Sequence, residues 1–409
     1  MKTAALDSGY AWCRLAACLL LATVGSAGMF VVVVAMPAFQ LDFGLSRAGA
    51  SLPYTMVMIG FGVGGLLAGR AVDRYGVVAP LAVSAVLLAL AYVQAATSDS
   101  VLLFNLAHVQ IGCFGCAVVF APLVADISKW FTRRRGLAVA IAACGNYVGG
   151  AIWPPLLVDM LAESDWRAAY LNIAGISVAL MLPTLLALLR RPLGDDAIRG
   201  DGGSAGSPAV LGLTPNGLLG LLALAGFGCC MAMAMPQVHI VSLCGDLGFG
   251  PARGAQMLAV MLGCGIASRL VFGVVSDRIG GLRTLLISSA LQGVALVAFL
   301  PAQSLTALYG AAALFGLFQG GIVPCYALIV REYFPAAQAG SRLSVVILAT
   351  IAGMAVGGWT SGAIFDWTGS YSVAFVHGIG WNLVNLSVVL FLLSRARDAG
   401  RGVAAPAAV

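Results

Sequence analysis

Lysine is nearly absent from this 409-residue chain: Lys2 and Lys129 are the only two, and neither follows a glycine. A phosphate loop of the G-K-[ST] kind is therefore excluded, and with it ATP-driven work within the chain. Histidine is as sparse. His108, His239 and His377 stand far apart and form no H-E-x-x-H, which argues against an intramembrane metalloenzyme. Charged residues of both signs make up only 9% of the chain, where soluble domains carry about a quarter.

What is present instead is apolar: 61% hydrophobic residues and a mean hydropathy of +0.99. A bilayer core of roughly 30 Å needs about 20 apolar residues per helix, and the length accommodates about twelve such helices joined by short connections. No room is left for a separate soluble domain. The ten cysteines lie mostly inside apolar runs, where thiols behave as small hydrophobes. Cys113 and Cys116 form a lone C-x-x-C within one of those runs, so buried packing is expected of them, with no metal and no cofactor.

Apolar stretches run from Trp12 to Ala38, Ala48 to Gly69, Val77 to Thr97, Val101 to Ala125, Leu137 to Val158 and Ala168 to Leu189. Six more follow, from Leu218 to Leu243, Ala255 to Val275, Leu282 to Leu300, Leu305 to Val330, Leu343 to Ile364 and Ser372 to Ser394. The expected fold is an all-α membrane protein of 12 transmembrane helices in two six-helix bundles. These divide the chain into residues 1–189, a polar central loop 190–215, and residues 216–409 with a short tail.

Basic residues set the orientation. With both termini cytoplasmic, 18 of the 22 Lys and Arg fall in inner segments, while only Arg47, Arg167 and Arg253 fall in outer loops. The net charge of +6 thus reads as an insertion signal that needs no nucleic-acid partner. No small-residue cleavage site follows the first apolar run, which is expected to be a retained span.

The two halves repeat. Gly69, Asp73, Arg74 and Gly76 of GRAVDRYG return as Gly273, Asp277, Arg278 and Gly280 of GVVSDRIG, each displaced by 204 positions (277 against 73). Both follow the second span of a six-span half, which argues for internal duplication. G-x-x-x-D-R-x-G at these places resembles the loop signature of the major facilitator superfamily. That resemblance implies secondary transport by alternating access. The loop reads as a cytoplasmic gate in which Asp73, Arg74, Asp277 and Arg278, with Asp126 near Arg133, Arg134 and Arg135, form a breakable charged latch.

Two further stretches narrow the resemblance. Asp7-Ser8-Gly9-Tyr10-Ala11-Trp12 is similar to the signature that opens the first helix of monocarboxylate transporters. Trp130 to Ala138, followed by Gly145 and Gly149, resembles their signature at the start of helix five. The bacterial branch, near the oxalate/formate exchangers, is the better neighbour, and it implies a bacterial inner-membrane protein. It also implies a small organic anion as substrate, lactate- or pyruvate-like, with a proton as its partner.

Arg269 is the most informative residue. It stands eight positions before Asp277, about 12 Å up a helix and inside the hydrocarbon slab. Its repeat counterpart is Gly65, so duplication does not account for the charge. A guanidinium at that depth is functional by default, and its planar fork matches a carboxylate. Both neighbouring families carry a substrate-binding Arg on helix eight, and snorkelling to the interface is the bland alternative. The eleventh span holds no Lys or Arg, which favours a monocarboxylate over a dicarboxylate.

Asn146, Tyr147 and Gln319 near the midplane, and His108, His239 and Tyr326 farther from it, are candidates to hydrogen-bond a carboxylate or hydroxyl. Each is equally able to bond between helices. Monocarboxylate transporters are associated with an Asp one turn before the helix-eight Arg, where this chain has Gly265. The coupling proton is therefore expected on the substrate itself, on His108 or on His239. G-x-x-x-G spacing at Gly145 and Gly149, and at Gly353 and Gly357, is expected to give slidable faces for rocking. Another organic anion, or a drug-like compound carried outward, remains the alternative cargo.

Overall fold

The computed structural model describes residues 6–189 and 211–403, so residues 190–210 of the expected central loop and Lys2 lie outside the described residues. Twelve helices are long and apolar enough to cross a membrane. They are α1 (Gly9–Val34), α2 (Arg47–Tyr75), α3 (Val78–Ala96), α4 (Val101–Ile127), α5 (Arg135–Glu163), α6 (Trp166–Leu188), α7 (Pro215–Asp246), α8 (Pro251–Ile279), α9 (Gly281–Phe299), α10 (Leu305–Tyr333), α11 (Gln338–Thr368) and α12 (Tyr371–Ala396). The shortest have 19 residues, about 28 Å at 1.5 Å per residue, which matches the hydrocarbon thickness. No strand occurs among the described residues.

Helix ends follow from local chemistry. The side chains of Ser8, Ser46, Asp165, Thr214 and Ser304 each accept from the backbone N–H three residues on, satisfying donors that a first turn leaves orphaned. At their other ends α2 and α8 stop on Gly76 and Gly280, at φ of +76° and +83°. That is the physical content of the last glycine in the repeated motif, because a side chain there is strained.

The duplication carries through to packing. A Cβ on Gly112 of α4 would lie 2.0 Å from the Val57 carbonyl of α2. A Cβ on Gly316 of α10 would lie 2.0 Å from the Met261 carbonyl of α8, and both residues of this second seam sit 204 positions after those of the first. Glycine is required at each because the two backbones touch.

Four of the spans are interrupted. α1 breaks at Ser26, α4 widens into a π-helical turn over Gly112–Cys116, α5 breaks at Cys144, and α10 breaks at Gly320 and Gly321. Irregular backbone at membrane depth survives only where protein or a cavity surrounds it.

The halves meet along two seams. Between α2 and α11, Thr55 Oγ1 donates to the Ala355 carbonyl at 2.8 Å, and Tyr54 packs on Gly358. Between α5 and α8, Leu262 lies against Gly150, and Tyr147 lies against Gly265. The G-x-x-x-G faces are not at these seams, which corrects the sequence expectation. Gly145 and Gly149 pack on Ala22 and Ser26 of α1, and Gly353 and Gly357 pack on Cys230, Met231 and Ala234 of α7. The spacing brings backbones together inside each half, while the faces between halves lie elsewhere on the same helices.

Candidate functional site

Arg269 hangs from the interior of α8, ten residues before its end at Ile279, and is 9% exposed. Its guanidinium crosses to the other half, donating from Nη1 to the Ala143 carbonyl of α5, and its Nε donates to the Gly320 carbonyl of α10 at 3.4 Å. Both carbonyls lie where a span is interrupted, at the negative ends of helical segments, which favours a cation. The Tyr147 ring covers the guanidinium face at 4.3 Å. Among the described residues no carboxylate pairs with Arg269, so dipoles and a π-face hold a full positive charge.

Tyr147 owes its place to Gly265. A Cβ on Gly265 would come within 2.3 Å of the Tyr147 ring, so the position that a carboxylate would occupy one turn before Arg269 is filled by an aromatic from the other half. Asn146 stands on α5 between Gly145, which packs on α1, and Tyr147, which packs on α8. Its Oδ1 is buried without a partner among the described residues. Gln319, fully buried on α10, accepts from Gln237 Nε2 of α7 at 2.7 Å. Arg269, Tyr147 and Gly320 form one cluster, with Asn146 and Gln319 on the residues next to it.

The other candidates are elsewhere. His108 bonds the Phe104 carbonyl at 2.7 Å and Tyr170 Oη at 2.9 Å, wholly inside the first half. His239 bonds the Gly358 carbonyl at 2.8 Å and Tyr371 Oη at 3.1 Å. Each set of bonds suits a neutral imidazole, with one ring nitrogen donating to a carbonyl and the other accepting from a hydroxyl. Tyr326 is buried two turns beyond Gln319, and its hydroxyl has no partner among the described residues. Asn382 of α12 donates to the Ser289 carbonyl and to Gln292 of α9, a bond between helices of one half.

The expected latch at the face of the termini is not assembled. Asp73, Arg74, Asp277 and Arg278 are exposed; Arg74 stacks on Tyr75, and none of the four makes an ion pair among the described residues. Asp126 is not with Arg133 to Arg135. Its carboxylate is gripped by Arg14, with Nε at 2.7 Å and Nη2 at 2.9 Å, while Nη1 of Arg14 donates to the Leu188 carbonyl and Trp130 lies beneath the guanidinium. This corrects the expected partners. Sequence placed Arg14 among the inner-segment charges, whereas it is a buried tie joining α1, α4 and the end of α6.

The two short signatures touch. Asp7 Oδ2 accepts from the Thr132 hydroxyl at 2.7 Å and from the backbone N–H of Thr132 and Arg133 at 3.2 Å. The Thr132 hydroxyl bond, foremost among these, holds the Asp7 carboxyl below its ordinary pKa. Tyr10 stacks edge-on against Trp130 at 5.2 Å, and Trp12 against Phe131 at 5.1 Å. The start of α1 is thereby clasped to the α4–α5 connection.

A latch that sequence reading missed closes the opposite face. Arg47, counted there as an outer-loop charge, donates from Nη2 to both Asp246 oxygens at 2.7 and 2.9 Å and from Nη1 to Gln40 at 3.1 Å. Asp366 of α11 accepts from the backbone N–H of Arg47 and of Ala48. Nearby, Arg167 ties α6 to Asp42, and that bond, with one from Trp166, keeps the Asp42 carboxyl below its usual pKa. No motif announces Arg47; its partners lie 199 and 319 positions away.

A wide apolar crevice of about 370 Å³, lined by Gly64, Leu67, Cys113 and Phe114 among other residues of α2, α3 and α4, involves none of the Arg269 cluster. Its lining lacks the convergent polar groups of a binding site.

Comparison with known proteins agrees with this architecture. The model of the Major Facilitator Superfamily matches residues 18–264 and, in an overlapping second match, 221–407. Monocarboxylate transporter 13 of Bos taurus is 25% identical over 395 residues, covering 94% of this chain and 90% of that protein. Its counterpart from Rattus norvegicus is 28% identical over 285 residues, 68% of this chain and just under two thirds, 64%, of the relative. Among solved structures, a D-xylose–proton symporter superposes with a TM-score of 0.71 at 15% identity, covering 94% of this chain and 97% of that one. A bacterial homologue of the human lysosomal transporter Spinster, inward-facing and occupied, gives 0.69 at 15% identity and 96% coverage of both chains.

Proposed function

The chain belongs to the Major Facilitator Superfamily, and from that premise we propose that this multi-pass membrane transporter carries a small monocarboxylate, lactate- or pyruvate-like, by alternating access with a proton. The observation that carries the reading is Arg269. A buried guanidinium whose partners are two carbonyls and a ring keeps its full charge, and an incoming carboxylate can both neutralise it and occupy its fork. The names of the monocarboxylate transporter relatives point to the same chemistry.

Charge matching supports one carboxylate. Beyond Arg342 in its first turns, which bonds Gln338 and the Pro215 carbonyl, α11 has no basic side chain to hold a second. Other organic anions satisfy the same site and form the second reading. A cationic or amphipathic cargo is disfavoured, because no carboxylate joins the Arg269 cluster among the described residues.

The bonding of His108 and His239 as neutral rings supports a proton that travels with the acid. The two faces then have different tasks. Arg47, Asp246 and Asp366 fasten the side opposite the termini, while Asp73, Arg74, Asp277 and Arg278 are separate and free to close the other side when the first opens. The distribution of Lys and Arg supports cytoplasmic termini, and hence an inward-facing state in which Arg269 awaits substrate.

The test is uptake of radiolabelled L-lactate into proteoliposomes under an inward proton gradient, with wild type and Arg269→Ala. Gradient-stimulated uptake that disappears in the variant supports the reading. Gradient-independent uptake removes the proton, and lactate uptake that survives in the variant removes Arg269 as the anion site.

A further inference from the structure

Gln319 is an amide in the wrong place for mere packing. It is fully buried, it stands beside the Gly320 carbonyl that takes Arg269 Nε, and its Nε2 has no partner among the described residues. A buried amide with unused N–H groups carries an unmet desolvation cost that a helix face could avoid with Leu or Met. Its Oε1 is already engaged by Gln237, so the pair is oriented: α7 holds α10's amide with its donor end turned away. Close by, Ser268 is buried, its Oγ is equally unpartnered among the described residues, and that atom would lie 3.0 Å from a Cβ on Gly320.

We propose that the Gln237–Gln319 pair, resting on Arg269 as the carboxylate site, reads a neutral oxygen substituent on the carbon chain of the acid. Arg269 takes the carboxylate, and Gln319 takes a keto or hydroxyl oxygen of the same molecule. The chemistry fits both oxidation levels. An amide turned one way donates to a keto oxygen, and turned end for end it accepts from a hydroxyl, with Gln237 able to follow either way. It does not fit a second carboxylate, which an uncharged pair leaves uncompensated in the membrane interior. An unsubstituted acid leaves the buried amide unpaired, and a site built to bond a polar group rejects the analogue that lacks it.

The experiment compares three four-carbon acids of similar size, butyrate, 2-oxobutyrate and 3-hydroxybutyrate, as radiolabelled substrates of the full chain in proteoliposomes. Wild type is expected to favour at least one oxygenated acid over butyrate by about tenfold or more in apparent affinity. Gln319→Met, close in shape and without the amide, is expected to bring that ratio to roughly twofold or below through weaker oxygenated-acid uptake. Gln237→Met, which only frees the orientation of Gln319, is expected to lower the ratio less. The proposal is overturned if wild type shows no preference, if the preference persists in Gln319→Met, or if that variant weakens all three acids alike. Arg269→Ala distinguishes the two levels of inference. Loss of all three acids there leaves the carboxylate site standing whatever the Gln319 result, and uptake that survives removes both.

Discussion

Asp366 caps the first turn of α2 from the other half of the molecule, accepting from the backbone N–H of Arg47 at 2.7 Å and of Ala48 at 2.8 Å. A helix N-terminus ordinarily satisfies these donors with its own side chains or with water. Here the cap is also a fastener, because it exists only while α2 and α11 stay together at that face. The Arg47 side chain adds a second fastener through Asp246 of α7.

Opening that face must break both contacts. Asp366→Ala and Arg47→Ala are expected to raise the reactivity of a cysteine placed at Ser51, which is buried at this seam beside Gly362, toward a membrane-impermeant maleimide. The increase should be about fivefold or more, as expected for a population shift of roughly 1 kcal/mol or more. Unchanged labelling in both variants would show that the latch does not hold the seam shut.

Arg269→Lys keeps the charge and loses the fork. One ammonium cannot hold the Ala143 and Gly320 carbonyls in the same geometry and still present two parallel donors to a carboxylate. Uptake of the acid is expected to fall about tenfold or more in kcat/KM, read in proteoliposomes at matched protein density. Retention of full uptake would reduce Arg269 to a point charge.

Gly265→Ala forces a methyl into the Tyr147 ring. Overpacking of this kind costs about 1–3 kcal/mol, and the ring that shifts is the one covering Arg269. A lower melting temperature together with weaker acid uptake is expected, measured on the purified protein and in vesicles. A silent substitution would show that the ring yields freely.

The Arg14–Asp126 pair, with side chains 2% and 11% exposed, is a buried salt bridge. Removing one partner by Asp126→Ala leaves a buried cation and is expected to destabilise by about 3 kcal/mol or more, seen as a lower thermal midpoint in detergent. The double variant Arg14→Met with Asp126→Leu is expected to recover part of that loss, since an apolar pair carries no desolvation cost.

The clasp of Asp7 on Thr132 sets a pH dependence. Its folded-state pKa is depressed below the ordinary 3.8, so its contribution is present above that value and is lost as pH falls through the lower folded value. Thermal stability from pH 7 down to about pH 5 should therefore be indifferent to this group, with the loss confined to stronger acid. Comparison of wild type with Asp7→Asn across that range checks it.

Spans, repeat and family were legible because the bilayer imposes them on composition. An apolar run of membrane length can be little other than a transmembrane helix, and Gly76 and Gly280 announce themselves through a backbone angle that only glycine adopts freely. Arg269 stood out for the same reason, since a guanidinium inside a hydrocarbon run is conspicuous in a list of letters. Its surroundings did not. The carbonyls of Ala143 and Gly320 are backbone groups that no residue type advertises, and Tyr147 reaches Arg269 from a helix more than a hundred positions away.

The sequence by itself thus determined that the chain crosses a membrane twelve times in two related halves, with one cation buried in the second, because solvent selects residues one helix at a time. Only the tertiary structure decided which face is fastened, and that Asp126 answers to Arg14 while Arg47 answers to Asp246 and Asp366. Pairing of charges depends on which helix ends come together, and packing between distant segments, not local composition, sets those distances.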